Sequence, residues 1–353
     1  MKIGIFTFHR SRNYGAILQA YGLVKALKEM GHQPEIVDYC CVSIETPLRL
    51  WNPGNGVSHT TKQFLFRWRK KCAFDRFIRK HLPLSHKKNM HNKDLYKAVQ
   101  NYNCLLTGSD QVWNSRLTGD DGAYFLDFPT TGAYKIAYAA SAGDSAALSK
   151  KLLCQLQDFS AVSVREKSLK EYLDTKGIPS SVCCDPTLLI DPSDFLNMKS
   201  KRLNKSKYLF LFMIWESPDL ISLAEKYARE KGYQVISNKR CLPFFHHCRP
   251  EDFLSWIYHA ECVITNSFHA SVFSLKFHKP LLVTIQKPNG QKNYRIAELL
   301  SDMDCLDCIL EKKDVDRLNF PPIDYERVDV KIQEKRQISL TWLKNSLNQQ
   351  IDL

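Results

Sequence analysis

No stretch of this 353-residue sequence approaches the roughly 20 apolar residues that a membrane-spanning helix requires. The first residues, MKIGIFTFHRSRNYG, hold one early Lys and a short apolar run that turns polar at once. That is the pattern of a first β-strand and not of a secretory signal, so a cytoplasmic protein is expected. Neither half contains a GxGxxG or a Walker sequence, which leaves dinucleotide and P-loop readings poorly supported. A single CxxC, Cys305 to Cys308, has no second CxxC at zinc-site spacing, and no metal or other cofactor is expected. The 12 cysteines are scattered along the chain and form no disulfide framework. Cys104, Cys183, Cys184 and Cys262 fall in apolar runs and read as small buried hydrophobes.

What is present is an ordinary globular composition, 44% hydrophobic and 25% charged, with a formal net charge of +13. The length predicts two domains. Basic residues gather in FRWRKKCAFDRFIRKHLPLSHKK, residues 66–88, with aromatics between them. A solvated amphipathic helix accounts for such a run. So would an anionic partner, and since no nucleic-acid motif accompanies it, a membrane surface or an acidic substrate fits better than nucleic acid.

Strand-like and helix-like segments alternate almost throughout, which predicts parallel sheets. KIGIFTF, QPEIVDY, NCLLTGS, KIAYAASAG and SAVSVRE read as strands of a first half. KYLFLFMIW, YQVIS, ECVITN and PLLVTI read as strands of a second. Between them CCDPTLLIDPSDFLNMKSKRLNKSK, residues 183–207, has two Asp-Pro steps and a basic polar run and reads as a linker. The expected domains are residues 1–185, 186–325 with the TNSFHAS corner, and a helix in 326–353 that packs back on the first. Two Rossmann-like doubly wound domains facing a cleft, a GT-B-like α/β architecture, is the predicted fold.

Four polar clusters follow apolar strands: FHRSRNYGAILQ, TGSDQVWN, SVREKS and TNSFHAS. In open α/β sheets that is where ligands bind. Singly, each has an ordinary explanation: a turn and helix cap, a surface ion pair, a polar residue at a helix start. Together they suggest anion chemistry. Ser267, Phe268 and His269 would lie at a helix N-terminus, where backbone N–H groups and the helix dipole favour phosphate. His269 has the type of a general acid, and Arg165 the planar fork that suits carboxylate or phosphate. Asp110 and Glu166 are the candidate bases.

GSDQVWN, SVREKS, DPTLL and ITNSFHASVFSLKFHKPLLV, in that order, resemble the polysaccharide pyruvyltransferase family, and NYRIAELL fits its C-terminal part. The resemblance runs from NYGAILQAYGL to Leu300, and its most specific part is SFHA. The small residue after the His, often Gly in the family, is Ala270 here. The resemblance implies a GT-B-like fold and transfer of the enolpyruvyl unit of phosphoenolpyruvate to a sugar, with a pyruvate ketal formed across two hydroxyls and phosphate released. It implies that Arg165 and His269 contact the donor, with residues 1–185 on the acceptor side and 186–325 carrying the donor corner. Asn13, Gln111 and Arg295 join Ser267 and Phe268 as substrate-binding candidates by position in the motifs. The expected acceptor is a surface polysaccharide or its polyprenyl-diphosphate-linked precursor at the inner membrane face, which the 66–88 stretch would suit. The alternative is a GT-B glycosyltransferase using a nucleotide sugar, for which Trp215 and Glu216 are the available contacts.

Overall fold

The structure, a computed structural model, describes residues 1–46, 57–86, 91–130, 132–143, 148–239, 241–286, 292–310 and 319–348. It divides into two compact units, one of Met1–Ile190 with Lys335–Leu353, the other of Asp191–Glu334. Each is built around its own parallel sheet.

In the first unit the strands are β1 (Lys2–Phe6), β2 (Gln33–Ile36), β3 (Cys104–Thr107), β4 (Tyr134–Ala140), β5 (Ala161–Val164) and β6 (Ser181–Val182). The helices between them are α1 (Tyr14–Glu29), α2 (Val42–Glu45), α3 (Val57–His81), α4 (Asn92–Val99), α5 (Ser115–Thr118), α6 (Lys150–Gln155) and α7 (Lys167–Asp174). All neighbouring strands pair in parallel, in the order β2-β1-β3-β4-β5-β6. The order reverses at β1, so the crevice outside the ends of β1 and β3 is a topological switch point. β1 and β3 are nearly continuous apolar runs because helices cover both faces of the sheet.

The second unit contains α8 (Pro192–Met198), β7 (Tyr208–Phe212), α9 (Pro218–Lys231), β8 (Gln234–Ser237), α10 (Leu242–His246), α11 (Pro250–Tyr258), β9 (Cys262–Thr265), α12 (Phe268–Lys276), β10 (Leu281–Val283) and α13 (Tyr294–Asp302). Its sheet runs β10-β9-β7-β8, again all parallel. The switch point lies between β7 and β9. α12 is buried along its whole length, which accounts for its small residues Ala270, Ser271 and Ser274. Two of these return their hydroxyls to the helix backbone, Ser271 to Ser267 O at 3.0 Å and Ser274 to Ala270 O at 2.7 Å. A last helix, α14 (Tyr325–Asn348), follows. Within the first unit its later residues bond back to the sheet side: Ser339 Oγ accepts from Cys184 N at 2.9 Å, and Arg336 Nε donates to Leu189 O at 2.7 Å.

The segment 183–207, read as a linker, contains the boundary between the two units, after Ile190. Its two Asp-Pro steps start helical turns. Asp185 caps the 3₁₀ turn Pro186–Leu188, and Asp191 caps α8, each with Pro in the first helical position. Leu188, Leu189, Ile190 and Phe195 are core residues. Of the cysteines read as buried hydrophobes, Cys104, Cys183 and Cys262 are buried, whereas Cys184 is only half-buried. The basic stretch is largely α3, with Phe74, Phe77 and Ile78 on its buried face. Lys70 lies over the rings of Tyr14 and Phe74, 5.0 and 5.5 Å from their centroids. Lys87 and Lys88 are outside the described residues. Among the described residues no helix is long and apolar enough to cross a membrane.

Candidate active site

Asp110, Glu166 and Arg165 converge in the first unit at the exits of β3, β4 and β5. The chain leaves β3 through Gly108, whose φ of +118° and whose missing Cβ, which would stand 2.1 Å from Tyr138 O, let it pass against β4. Asp110 then takes a left-handed φ of +69°, uncommon for a non-glycine residue and tolerated best by Asp and Asn. Its carbonyl accepts from Ser141 N at 3.0 Å, and its carboxylate accepts from Gln111 N at 2.9 Å.

Arg165, directly after β5, is enclosed by three carboxylates. Nη1 is 2.9 Å from Asp185, Nε is 3.3 Å from Glu166, and Nη2 is 4.0 Å from Asp110. All four residues are buried. Burial alone would lower the Arg165 pKa, but Glu166, Asp185 and Asp110 more than offset it and the group stays raised. Glu166 Oε1 also accepts from the Ser141 hydroxyl at 2.6 Å. Its other oxygen, Oε2, is buried and has no hydrogen-bond partner among the described residues. A buried carboxylate oxygen without a protein donor costs free energy, of order 1–3 kcal/mol, unless water, an ion, a proton or a ligand meets it.

Asn13 caps α1, with its side-chain oxygen accepting from Gly15 N at 2.9 Å and Ala16 N at 3.4 Å. Gln111 Oε1 accepts from Asn114 Nδ2 at 2.8 Å. Both sit at strand exits of the first unit, and both use that oxygen to hold local backbone or a neighbour.

Ser267, Phe268 and His269 stand at the switch point of the second unit, as α12 begins. Ser267 is the N-cap and its hydroxyl accepts from Ala270 N at 3.4 Å. The first turn of α12 holds no acidic residue, so the positive end of the helix is not neutralised from within. Phe268 packs edge-on against the His269 ring at 5.2 Å, and both are buried. Arg295 lies in the first turn of α13, half-buried.

Sequence reasoning did not single out Asn266, the buried residue between β9 and the cap. Its Oδ1 accepts from Ile214 N at 2.7 Å and its Nδ2 donates to Trp215 O at 2.9 Å, which ties the loop after β7 to the SFHA corner. Asn238, after β8, braces Met213 in the same way at 2.8 and 2.9 Å. The only local signal was a polar amide closing an apolar strand. Asp185 was likewise missed as the principal partner of Arg165. Among the described residues no group of three or more His, Cys, Asp or Glu side chains could hold a metal ion.

These corners lie inside one family match. The sequence matches the polysaccharide pyruvyl transferase family over residues 13–285, and the chain belongs to that family. It is therefore a transferase. No curated protein matches it. Solved structures similar to this chain include UDP-GlcNAc 2-epimerase from Neisseria meningitidis bound to UDP-GlcNAc, at 10% identity and TM-score 0.44, over 95% of this chain and 99% of that one. The E. coli heptosyltransferase WaaC with ADP is similar at 12% identity and TM-score 0.39, over 95% and 100% of the two chains. A protein from Listeria monocytogenes described as a putative UDP-N-acetylglucosamine 2-epimerase has 12% identity and TM-score 0.45, over 93% of each chain.

Proposed function

We propose that this pyruvyl transferase takes the enolpyruvyl unit from phosphoenolpyruvate and places it across two hydroxyls of a sugar in a surface polysaccharide or its lipid-linked precursor. The observation that carries the reading is that one family match spans the GSDQ, SVRE and SFHA corners together. The reaction balances without a cofactor. The methylene carbon of the donor gains a proton and becomes a methyl group, while positive charge develops on the adjacent carbon. One sugar hydroxyl bonds to that carbon and gives up its proton, phosphate leaves with the C–O bonding pair, and the second hydroxyl bonds to the same carbon and loses its proton, which the released phosphate takes up, closing the ketal.

His269, at the start of α12, is assigned the proton delivered to the methylene carbon, and the N-terminus of α12 with Ser267 receives the donor's phosphate. Glu166 is the preferred base over Asp110, because one of its oxygens is buried without a donor. Arg165 has two tasks in this scheme. Its Nε and Nη1 hold Glu166 and Asp185 in place, and Nη2, whose contact with Asp110 is the longest of the three, is the edge offered to an anionic group. The electropositive α3 and the absence of a spanning helix among the described residues fit peripheral work on a membrane-held acceptor.

The test is titration with phosphoenolpyruvate and, separately, with nucleotide sugars, by calorimetry. Binding of phosphoenolpyruvate, followed by phosphate release and a ketal mass on a glycolipid acceptor that fall away in His269→Ala, is the expected result. Binding of a nucleotide sugar alone would replace this reading with a glycosyltransferase.

A further inference from the structure

Besides the cluster around Arg165, the first unit has a polar concavity. Where β1 and β2 end, a cavity of about 300 Å³ opens against α3, at the lower end of the range for small-molecule sites. Four cations line it, Arg10 and Arg12 from the β1–α1 corner and Lys71 and Arg79 from α3. Three carboxylates face them: Asp38, Glu45 and Asp75. Phe74 and Ile78 supply an apolar wall.

The charges are not equally matched. Asp38 is buried and receives Arg10 Nε at 2.7 Å, with His9 Nε2 at 3.0 Å. Burial would raise the pKa of Asp38, but His9 and Arg10 override it and hold it well below the usual carboxylate range. The Arg10 guanidinium is compensated in turn: burial lowers its pKa, Asp38 lifts it further, and the net shift is upward. Lys71 pairs with Asp75 one turn along α3. Arg12 differs from Arg10. Burial lowers its pKa and the neighbouring Arg67 lowers it further, and although Asp75 and Glu45 raise it, the net shift is downward. Arg12 is also held at a left-handed φ of +48°, immediately before the cap of α1. The first turn of α1 carries no acidic side chain. Cations outnumber carboxylates four to three, in a recess fixed by backbone that an arginine does not adopt by preference.

We infer that this cavity is the subsite for a phosphoryl group of the acceptor, the phosphate of a sugar phosphate or the diphosphate of a lipid carrier. The inference rests on the reading of the chain as a sugar-modifying pyruvyl transferase. The chemistry is shared by both sources. Arg12 and Arg79 supply charge and donors to phosphoryl oxygens, the N-terminus of α1 adds its dipole, and Phe74 and Ile78 face the less polar part of the ligand.

The experiment is calorimetric titration of the full chain with inorganic diphosphate and with citronellyl diphosphate, a short water-soluble prenyl analogue. The expected result is binding at one site per chain, weakened at least tenfold in Arg12→Asn/Arg79→Ala and weakened by raised salt. Asn is chosen because it tolerates a left-handed backbone. Arg79→Ala alone, a change at an exposed helix position, answers the question if the double variant does not fold. Tighter binding of the prenyl compound assigns the subsite to a carrier lipid, and equal binding assigns it to a soluble sugar phosphate. Absence of binding, or affinities that the substitutions leave unchanged, overturns the inference. Titration of the wild-type chain with phosphoenolpyruvate keeps the two readings apart. A chain that binds diphosphate in this way but not phosphoenolpyruvate loses its donor assignment and keeps this subsite, and the reverse pattern does the opposite.

Discussion

Glu166 has one carboxylate oxygen engaged by Ser141 at 2.6 Å and Arg165 at 3.3 Å, and the other buried without a donor. That division separates a positioning contact from a reactive one. Glu166→Gln keeps the size of the side chain and an acceptor for Ser141, but it removes the group that would take a hydroxyl proton. Turnover should therefore fall by about 10²- to 10⁴-fold, the usual size of a general-base contribution. Asp185 still holds Arg165 Nη1 at 2.9 Å, so the fold should survive. Phosphate release from phosphoenolpyruvate, followed alongside circular dichroism, checks both halves, and a rate near wild type would return the base assignment to Asp110. His269→Ala belongs to the same scale. It removes a proton donor at the start of α12 and leaves the Ser267 cap intact, so kcat should drop by about two orders of magnitude with little change in stability. A variant that keeps its rate would show that the proton comes from elsewhere. Arg165→Lys should be the most disruptive of the three to the site's geometry. Lys offers one ammonium where Nε, Nη1 and Nη2 now serve three carboxylates.

Elements fix these residues through contacts that leave different traces in the sequence. β3, β7 and β9 are legible as apolar runs because both faces of each sheet are covered, and α12 is legible because Pro280 and the strand after it bound a helix-length interval. The SFHA corner follows from that alternation. The partners of Arg165 do not. Asp185 lies 20 residues downstream, inside a polar Asp-Pro stretch, and a contact across that interval imposes no period on either segment. The same holds for Asn266, which bonds Ile214 across 52 residues. The Asp-Pro steps are ambiguous for a related reason. Their local chemistry, a cap followed by a proline at the first helical position, is shared by loops and by helix starts, and only the burial of Leu188, Leu189 and Ile190 decides between them. One of these turns also sets a testable limit on α1. A Cβ added at Gly22 would stand 2.4 Å from Pro186 O, a backbone atom that cannot swing aside. In an open helix position Gly→Ala would gain about 1 kcal/mol. Here the overlap with the turn Pro186–Leu188 should reverse the sign and cost about 1–3 kcal/mol. Chemical denaturation of Gly22→Ala checks this, and a stabilised variant would mean that α1 and the turn can separate freely.

For the molecule as a whole, the response to acid differs between its buried groups, and the sign can be worked out for each. His259, at the end of α11, is pushed down to about 4, first by burial and then by Lys199, Arg202 and Lys279. In the unfolded chain its pKa returns to about 6.5. Between these values the unfolded chain takes up a proton that the folded one refuses, so stability falls as pH drops from about 6.5 towards 4. His32, after α1 in the first unit, is shifted down as well, by burial and by the N-terminal amine, and adds to the same slope. The depressed carboxylates act lower. Burial would raise Asp38 and Asp252, but His9 and Arg10 in one unit, and Arg249 and Ser200 in the other, bring both below their ordinary range. Their contribution is present at neutral pH and is lost only as pH falls through about 4, where the unfolded carboxylates begin to take up protons. The wild-type chain should therefore lose stability in two stages, a histidine stage above pH 5 and a carboxylate stage below it. His259→Gln removes the proton-binding group from both states, so the urea midpoint measured from pH 7 to pH 5 should decline less steeply than in the wild type, while the drop below pH 4.5 remains. An equal slope in both proteins above pH 5 would show that His259 titrates alike in the folded and unfolded chains, and the first stage would then have to come from His32.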